Sequence, residues 1–333
     1  MMMMMPIVPI RGISTTCFQD LIISVAAYWE REHAFVFAES LNVRYEPAPG
    51  RLIGASVRTD KYTSLDLLYR YAGMELRQLR CADAADAYPA LRSELEAGRP
   101  VAIEFDAYWN PWGNKAAYQQ VHSEHICLVV GLEAETGGGV SLVCIDPTFS
   151  VKAERLPLDH FMNGNRGGLI TVERHEPSVP EPVELMGRIA AKYSESRNAE
   201  AIHEIAVAIR EAGSLAEEFE GVFDFWASPL FQRLDTIYYA RHYLSETAAL
   251  LLGGDPESDI RHELERVHST SQRLTAEWDI VQKLLIKHYG VRAAKKEDRA
   301  LQQLSGRMEA NAELEEELEA ALAVFLPSAY PIR

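Results

Sequence analysis

Three residues have the types and spacing for nucleophilic chemistry: Cys17, His125 and Asp146. Cys17 follows Ser14, Thr15 and Thr16 and precedes the apolar run FQDLIISVAAYW. Thr16 with Gln19 three residues later fits a capping box, so Thr16 is expected at an N-cap and Cys17 in the first turn of a helix. That position faces the positive end of the helix dipole and free backbone N–H groups, a setting that favours an anion. Small neighbours leave the sulfur open to a substrate, and the N–H of Cys17 is a candidate oxyanion donor. The bland alternative is a small hydrophobe packed at a helix start.

A nucleophilic cysteine needs a base and a group that orients the base. HICLVVGLEA (125–134) and GVSLVCIDP (139–147) read as strands joined by the loop ETGGG. A hairpin centred near Thr136 or Gly137 brings His125 alongside Asp146, whose carboxylate can then fix the imidazole tautomer. Taken singly, His125 also reads as a structural histidine and Asp146 as a turn former before Pro147. His122, in the loop-like VHSEH outside the apolar run, is the rival base. Zinc on His122, Glu124, His125 and Cys127 is disfavoured, because the spacing does not close a tetrahedral shell.

The elements that must position these groups are legible up to about residue 175. Ser14–Trp29, Thr63–Leu76 and Asp83–Gly98 read as helices, and Pro100–Tyr108 joins the two hairpin runs as a strand. HEPSVPEPVEL (175–185) reads as a linker. Beyond it, helices are expected over about Leu185–Ala212, Leu215–Leu252, Asp255–Tyr289 and Lys295–Leu326. The fold class is therefore α+β, with a catalytic domain at 1–175 and an all-helical domain at 176–333. The helical part reads as a lid, a partner-binding surface or a homodimer interface, with aromatic surface at 225–244. VRAAKKEDR (291–299) is its one compact basic cluster.

The 333 residues carry a formal charge of −16, split as −5 over 1–175 and −11 over the rest. That balance argues against nucleic acid or an anionic membrane as partner. No apolar run is long enough for a membrane span, and MMMMMPIVPIRG is not a secretory signal; it reads as a frayed start. Four dispersed cysteines without a CxxC pair fit reduced thiols in a cytoplasm.

Within the papain-like cysteine enzymes, residues 1–175 resemble the N-terminal domain of the butirosin biosynthesis protein H family. The resemblance rests on TTCFQD at Cys17, GRPVAIEFDAYWNP from Gly98, HSEHICLVVGLE from His122 and VCIDPTF from Val143. A helical C-terminal region is also typical of that family. The resemblance implies a papain-like domain and an acyltransferase of secondary-metabolite, antibiotic-type biosynthesis. Such an enzyme binds no cofactor of its own. Its acyl group arrives as a thioester on the phosphopantetheine arm of an acyl or peptidyl carrier protein and passes to an amine or another small-molecule nucleophile. Carried over by position, Cys17 is the nucleophile, His125 the base and Asp146 its partner, with Asp106 and Tyr108 lining the site. The wider papain and bacteriocin-peptidase pattern has an oxyanion-binding glutamine six residues before the nucleophile, where this chain has Arg11. The second donor is therefore open among Arg11, a backbone N–H near Gly12 and the Ser14 hydroxyl. Competing readings on the same residues are a peptidase or amidase, a thioesterase or cyclising off-loader, and a non-enzymatic interaction protein.

Overall fold

The computed structural model describes residues 4–12, 16–60, 65–113, 115, 118–135, 137–221, 225–290 and 297–326. Along the chain, α1 (Cys17–Tyr28) is followed by β1 (Val43–Tyr45), α2 (Ile53–Ser56), β2 (Val57–Thr59), α3 (Leu65–Leu67) and β3 (Met74–Arg80). Next come α4 (Ala84–Glu96), β4 (Val101–Asp106), β5 (Glu124–Ala134), β6 (Val140–Ile145), β7 (Glu154–Pro157), α5 (Leu158–Gly164) and β8 (Asn165–Arg174). The remainder is helical: α6 (Pro182–Tyr193), α7 (Asn198–Glu211), α8 (Pro229–Gly253), α9 (Ser258–Gly290) and α10 (Glu297–Ala323). The protein is α+β, and no described helix is long and apolar enough to cross a membrane.

The chain divides into two compact units, residues 1–33 with 65–178, and residues 34–64 with 179–333. Residues 34–64, read from sequence as part of a 1–175 domain, therefore cluster with the C-terminal helices. The cause is apolar burial and backbone pairing. Phe35, Val36, Phe37 and Leu41 are buried, and the Phe37 ring packs 4.3 Å from Tyr243 of α8. The Val43 N–H donates to Asn198 Oδ1 of α7 at 2.7 Å.

The first unit is built on a six-stranded antiparallel sheet of order β3-β8-β4-β5-β6-β7. β5 lies inside it, buried from His125 to Leu132, and α1 packs against it. Leu128 pairs with Ile145 and Val129 with Cys144, after which a bulge at Val130 shifts the register to Gly131–Val143. The bulged Val130 carbonyl accepts from the Met5 N–H at 2.9 Å, and Met5 is buried. The methionine run is thus docked at Met5 and not frayed there. Residues 1–3 lie outside the described residues.

The helix expected over Thr63–Leu76 ends earlier. A π-turn (Leu68–Ala72) follows α3, and Gly73 then adopts φ 63°. A Cβ on Gly73 would lie 2.4 Å from the His175 carbonyl, so the chain turns there and continues as β3. Thr63 and Ser64 lie outside the described residues. Strand β8 has no simple sequence signal because Gly167 and Gly168 read as a loop. Gly167 instead has φ 83° with the Cys81 carbonyl 2.3 Å from where a Cβ would sit, so only glycine lets the strands approach.

In the second unit, α7, α8, α9 and α10 pack on one another, with the β1–β2 ribbon against α7 and α8. Arg241 of α8 and Glu315 of α10, both fully buried, form a bidentate pair, and the Tyr193 hydroxyl of α6 donates to the same carboxylate at 2.5 Å. Phe225, Phe231 and Tyr243 are buried in internal packing, so these rings of the 225–244 stretch are not surface. The helix expected over Leu185–Ala212 is two helices, broken where Ser196 bonds Asn42 and Asn198. Of the basic cluster 291–299, residues 291–296 lie outside the described residues.

Candidate active site

Cys17 is the first residue of α1. Thr16 is the N-cap, its hydroxyl oxygen accepting from the Gln19 N–H at 3.1 Å. The Gln19 side-chain oxygen accepts from the Thr16 hydroxyl at 3.1 Å. Cys17 is half-buried, and all four cysteines are free thiols.

His125 is the second residue of β5, where Phe105 of β4 pairs with it. Its ring lies between those of Phe105 (5.6 Å) and Phe149 (5.1 Å) and is buried. Nε2 meets Asp146 Oδ2 at 2.8 Å, and Cys17 lies near enough to the same imidazole to help raise its pKa. With Nε2 facing Asp146, Nδ1 is the nitrogen left for sulfur. Burial opposes the charged ring, but the hydrogen bonds and negative charges of Asp146 and Cys17 outweigh it and push the His125 pKa up to about 10. The arrangement therefore favours the protonated form of His125.

The hairpin reading brings the right residues together by a slightly different route. Asp146 follows Ile145, which pairs with Leu128, so it falls beside Cys127 and reaches His125 diagonally on the same face. Its own backbone carbonyl accepts from Phe149 N–H (3.1 Å) and Ser150 N–H (2.8 Å), making it the first residue of a turn. Thr148 in that turn donates to Asp20 Oδ2 of α1 at 3.1 Å, which ties the helix bearing the nucleophile to the loop bearing the carboxylate.

Two further donors to Asp146 have no signal in residue spacing. The Trp112 indole N–H donates to Asp146 Oδ2 at 2.7 Å, and the Asn110 amide donates to the same oxygen at 3.3 Å. Asn110 is buried, and its Oδ1 accepts from the backbone N–H groups of Trp112 (3.2 Å) and Gly113 (3.1 Å). This turn, a local motif that Asn-Pro announces, aims the indole. The available signal was NPWG itself.

Asp106 and Tyr108, expected to line the site, meet at His122. Its Nδ1 lies 2.5 Å from Asp106 Oδ2, and its ring stacks on Tyr108 at 4.4 Å. Asp106 Oδ1 accepts from the Tyr108 and Ser123 N–H groups. Burial raises the Asp106 pKa, but the bonds from His122 and these backbone groups leave it lowered overall. The rival base thus has a carboxylate of its own. Arg11 is exposed, and Ser14 lies outside the described residues.

The four residues weighed for zinc do not converge, since strand alternation turns Glu124 to the face opposite His125 and Cys127. Glu75, Glu173 and His175 do bring ligand atoms within 4.8 Å of one another, but Arg77 bridges both carboxylates and already supplies the positive charge.

No protein-family model matches the chain, and no curated protein matches it in sequence.

Proposed function

We propose that the protein is a cysteine-dependent acyltransferase on a papain-like domain, which accepts an acyl group from a carrier-bound thioester. The observation that carries this reading is one buried imidazole bonded to Asp146, its pKa raised by that carboxylate and by a neighbouring cysteine at a helix start. Cys17 as thiolate attacks the thioester carbonyl, and the C–S bond to the pantetheine sulfur breaks. The leaving sulfur takes the proton from His125, so exchange of one sulfur for another needs little further acid assistance. The N–H groups at the start of α1 face the developing oxyanion. His125, now neutral, accepts a proton from the nucleophile that resolves acyl-Cys17, with Asp146 holding the ring. A phosphopantetheine arm is a thin, extended donor suited to a half-buried sulfur, and an amine is the acceptor that the family resemblance favours.

The test is intact mass after mixing the protein with acetyl- and octanoyl-thioesters of N-acetylcysteamine and of a phosphopantetheinylated carrier protein. An acyl adduct mapped to Cys17, discharged by added amine as an amide, is expected. No adduct with any donor would remove the acyl-transfer reading. Discharge to free acid alone would make the protein a thioesterase.

A further inference from the structure

The group that resolves acyl-Cys17 must reach His125. In that step an amine, as its free base, forms the C–N bond, and the C–S bond breaks with its electron pair going to the Cys17 sulfur. The proton lost by nitrogen goes to His125. A general base works within about 2.6–3.2 Å of the atom it deprotonates, so the acceptor sits against the imidazole, whereas the acyl chain need only meet Cys17. What lines the imidazole therefore bears on which acceptors fit. Phe105, its neighbour on β4, is buried. Phe149, its ring centroid 5.1 Å from that of His125, is 44% exposed and forms a wall that opens to solvent.

Resting on the acyl-transfer reading, we propose that Phe149 is a specificity-determining residue on the acceptor side, selecting amines with an apolar body over hydrophilic ones. Its turn holds the ring in place. The Phe149 and Ser150 N–H groups donate to the Asp146 carbonyl at 3.1 and 2.8 Å, so the residue that holds the base also holds the ring. The Ser150 hydroxyl donates to Glu154 at 2.7 Å and closes the turn. Thr148, next in the chain, donates to Asp20 Oδ2 at 3.1 Å, and Asp20 lies one turn along α1 from Cys17. The ring is thus tied on one side to the base and on the other to the helix of the nucleophile. A phenyl ring offers the carbons of an amine apolar burial and offers a hydroxyl no hydrogen bond in exchange for water.

The experiment charges wild type, Phe149→Ala and Phe149→Leu with the octanoyl thioester, removes the donor, and lets hexylamine and aminopentanol compete for acyl-Cys17 in one vessel. The two amines match in size and basicity and differ by a terminal methyl against a hydroxyl. One apolar group in a pocket changes rates by about tenfold upwards, and this wall is half open, so wild type should favour the hexyl amide by about tenfold. Phe149→Ala should bring the ratio to about one, and Phe149→Leu, which keeps an apolar side chain, should retain most of it. A ring that only braced His125 would slow both amines alike and leave the ratio unchanged. Both amides come from one acyl-enzyme, so partial unfolding of a variant cancels. A wild-type ratio near one, or equal ratios in wild type and Phe149→Ala, would overturn the inference while leaving acyl transfer intact. Absence of acyl-Cys17, or of amide from either amine, in the wild type would overturn both.

Discussion

A buried imidazole bonded to a carboxylate beside a cysteine has a pH signature that an isolated cysteine lacks. His125 stands at about 10 against an ordinary value of 6.5, so the folded state holds its proton more tightly than the unfolded state. The sign follows from linkage. The stability this contributes is fully present below about pH 6.5 and is lost as pH rises towards about 10. The charged imidazole should persist over the same window, with alkylation by iodoacetamide confined to Cys17 and the alkaline limb of turnover near pH 10. Asp146→Asn removes the carboxylate bonded to the ring, so that limb should move to lower pH and turnover should fall by orders of magnitude. An unmoved limb would detach Asp146 from the base. Cys17→Ser should keep the fold and lose turnover, whereas Cys127→Ala should not lose it. The three residues were legible because a helix cap and a hairpin are local patterns. The diagonal contact was not, since it depends on a bulge at Val130 that no local residue type announces.

The element that decides whether the carboxylate is fixed is the segment after β4. Asp146 Oδ2 accepts from Trp112, Asn110 and His125, while Oδ1 has no hydrogen-bond partner among the described residues. Trp112→Phe keeps the ring and deletes the indole donor, leaving an acceptor buried and less satisfied. A hydrogen bond to a charged group is worth about 1.5–3 kcal/mol, so a tenfold or larger fall in turnover is expected with kcat affected more than KM. Equal kcat in Trp112→Phe would mean that the indole only packs. His160 of α5 supports the same segment from outside, its Nδ1 bonded to the Trp109 carbonyl at 3.1 Å and its ring against Trp109. Such contacts join residues far apart in sequence and across three elements, and periodicity carries no trace of them. The strand β4 itself, GRPV onward, was readable; what its end would hold was not.

At the scale of the whole molecule, the order of residues along the chain does not follow the order of packing. A composition shift near residue 175 is visible in sequence, and a boundary does lie at 178/179. The clustering of 34–64 with the helices was not visible, because short apolar clusters such as AFVFA say that they are buried and not against what. A fragment of residues 1–175 would keep 34–64 and lose α7 and α8, against which that segment packs. Phe35, Phe37, Leu41, Val43 and Val57 are each at most 4% exposed in the full chain. At about 1.5–3 kcal/mol per buried side chain, their exposure costs on the order of 10 kcal/mol. That is as large as the net stability of about 5–15 kcal/mol that a domain usually has. The fragment should therefore bind a hydrophobic dye and associate, with amides of 34–64 exchanging freely, whereas the full chain should not. Glu315→Ala in the full chain supplies an independent probe of the helical unit. Leaving Arg241 buried without its partner should cost about 3–5 kcal/mol in a denaturant titration, and Arg241→Met with Glu315→Leu together should recover most of it. A monomeric, dye-silent 1–175 fragment with protected amides at 34–64 would show that this segment needs no helix to fold, and the two-unit division would fall with it.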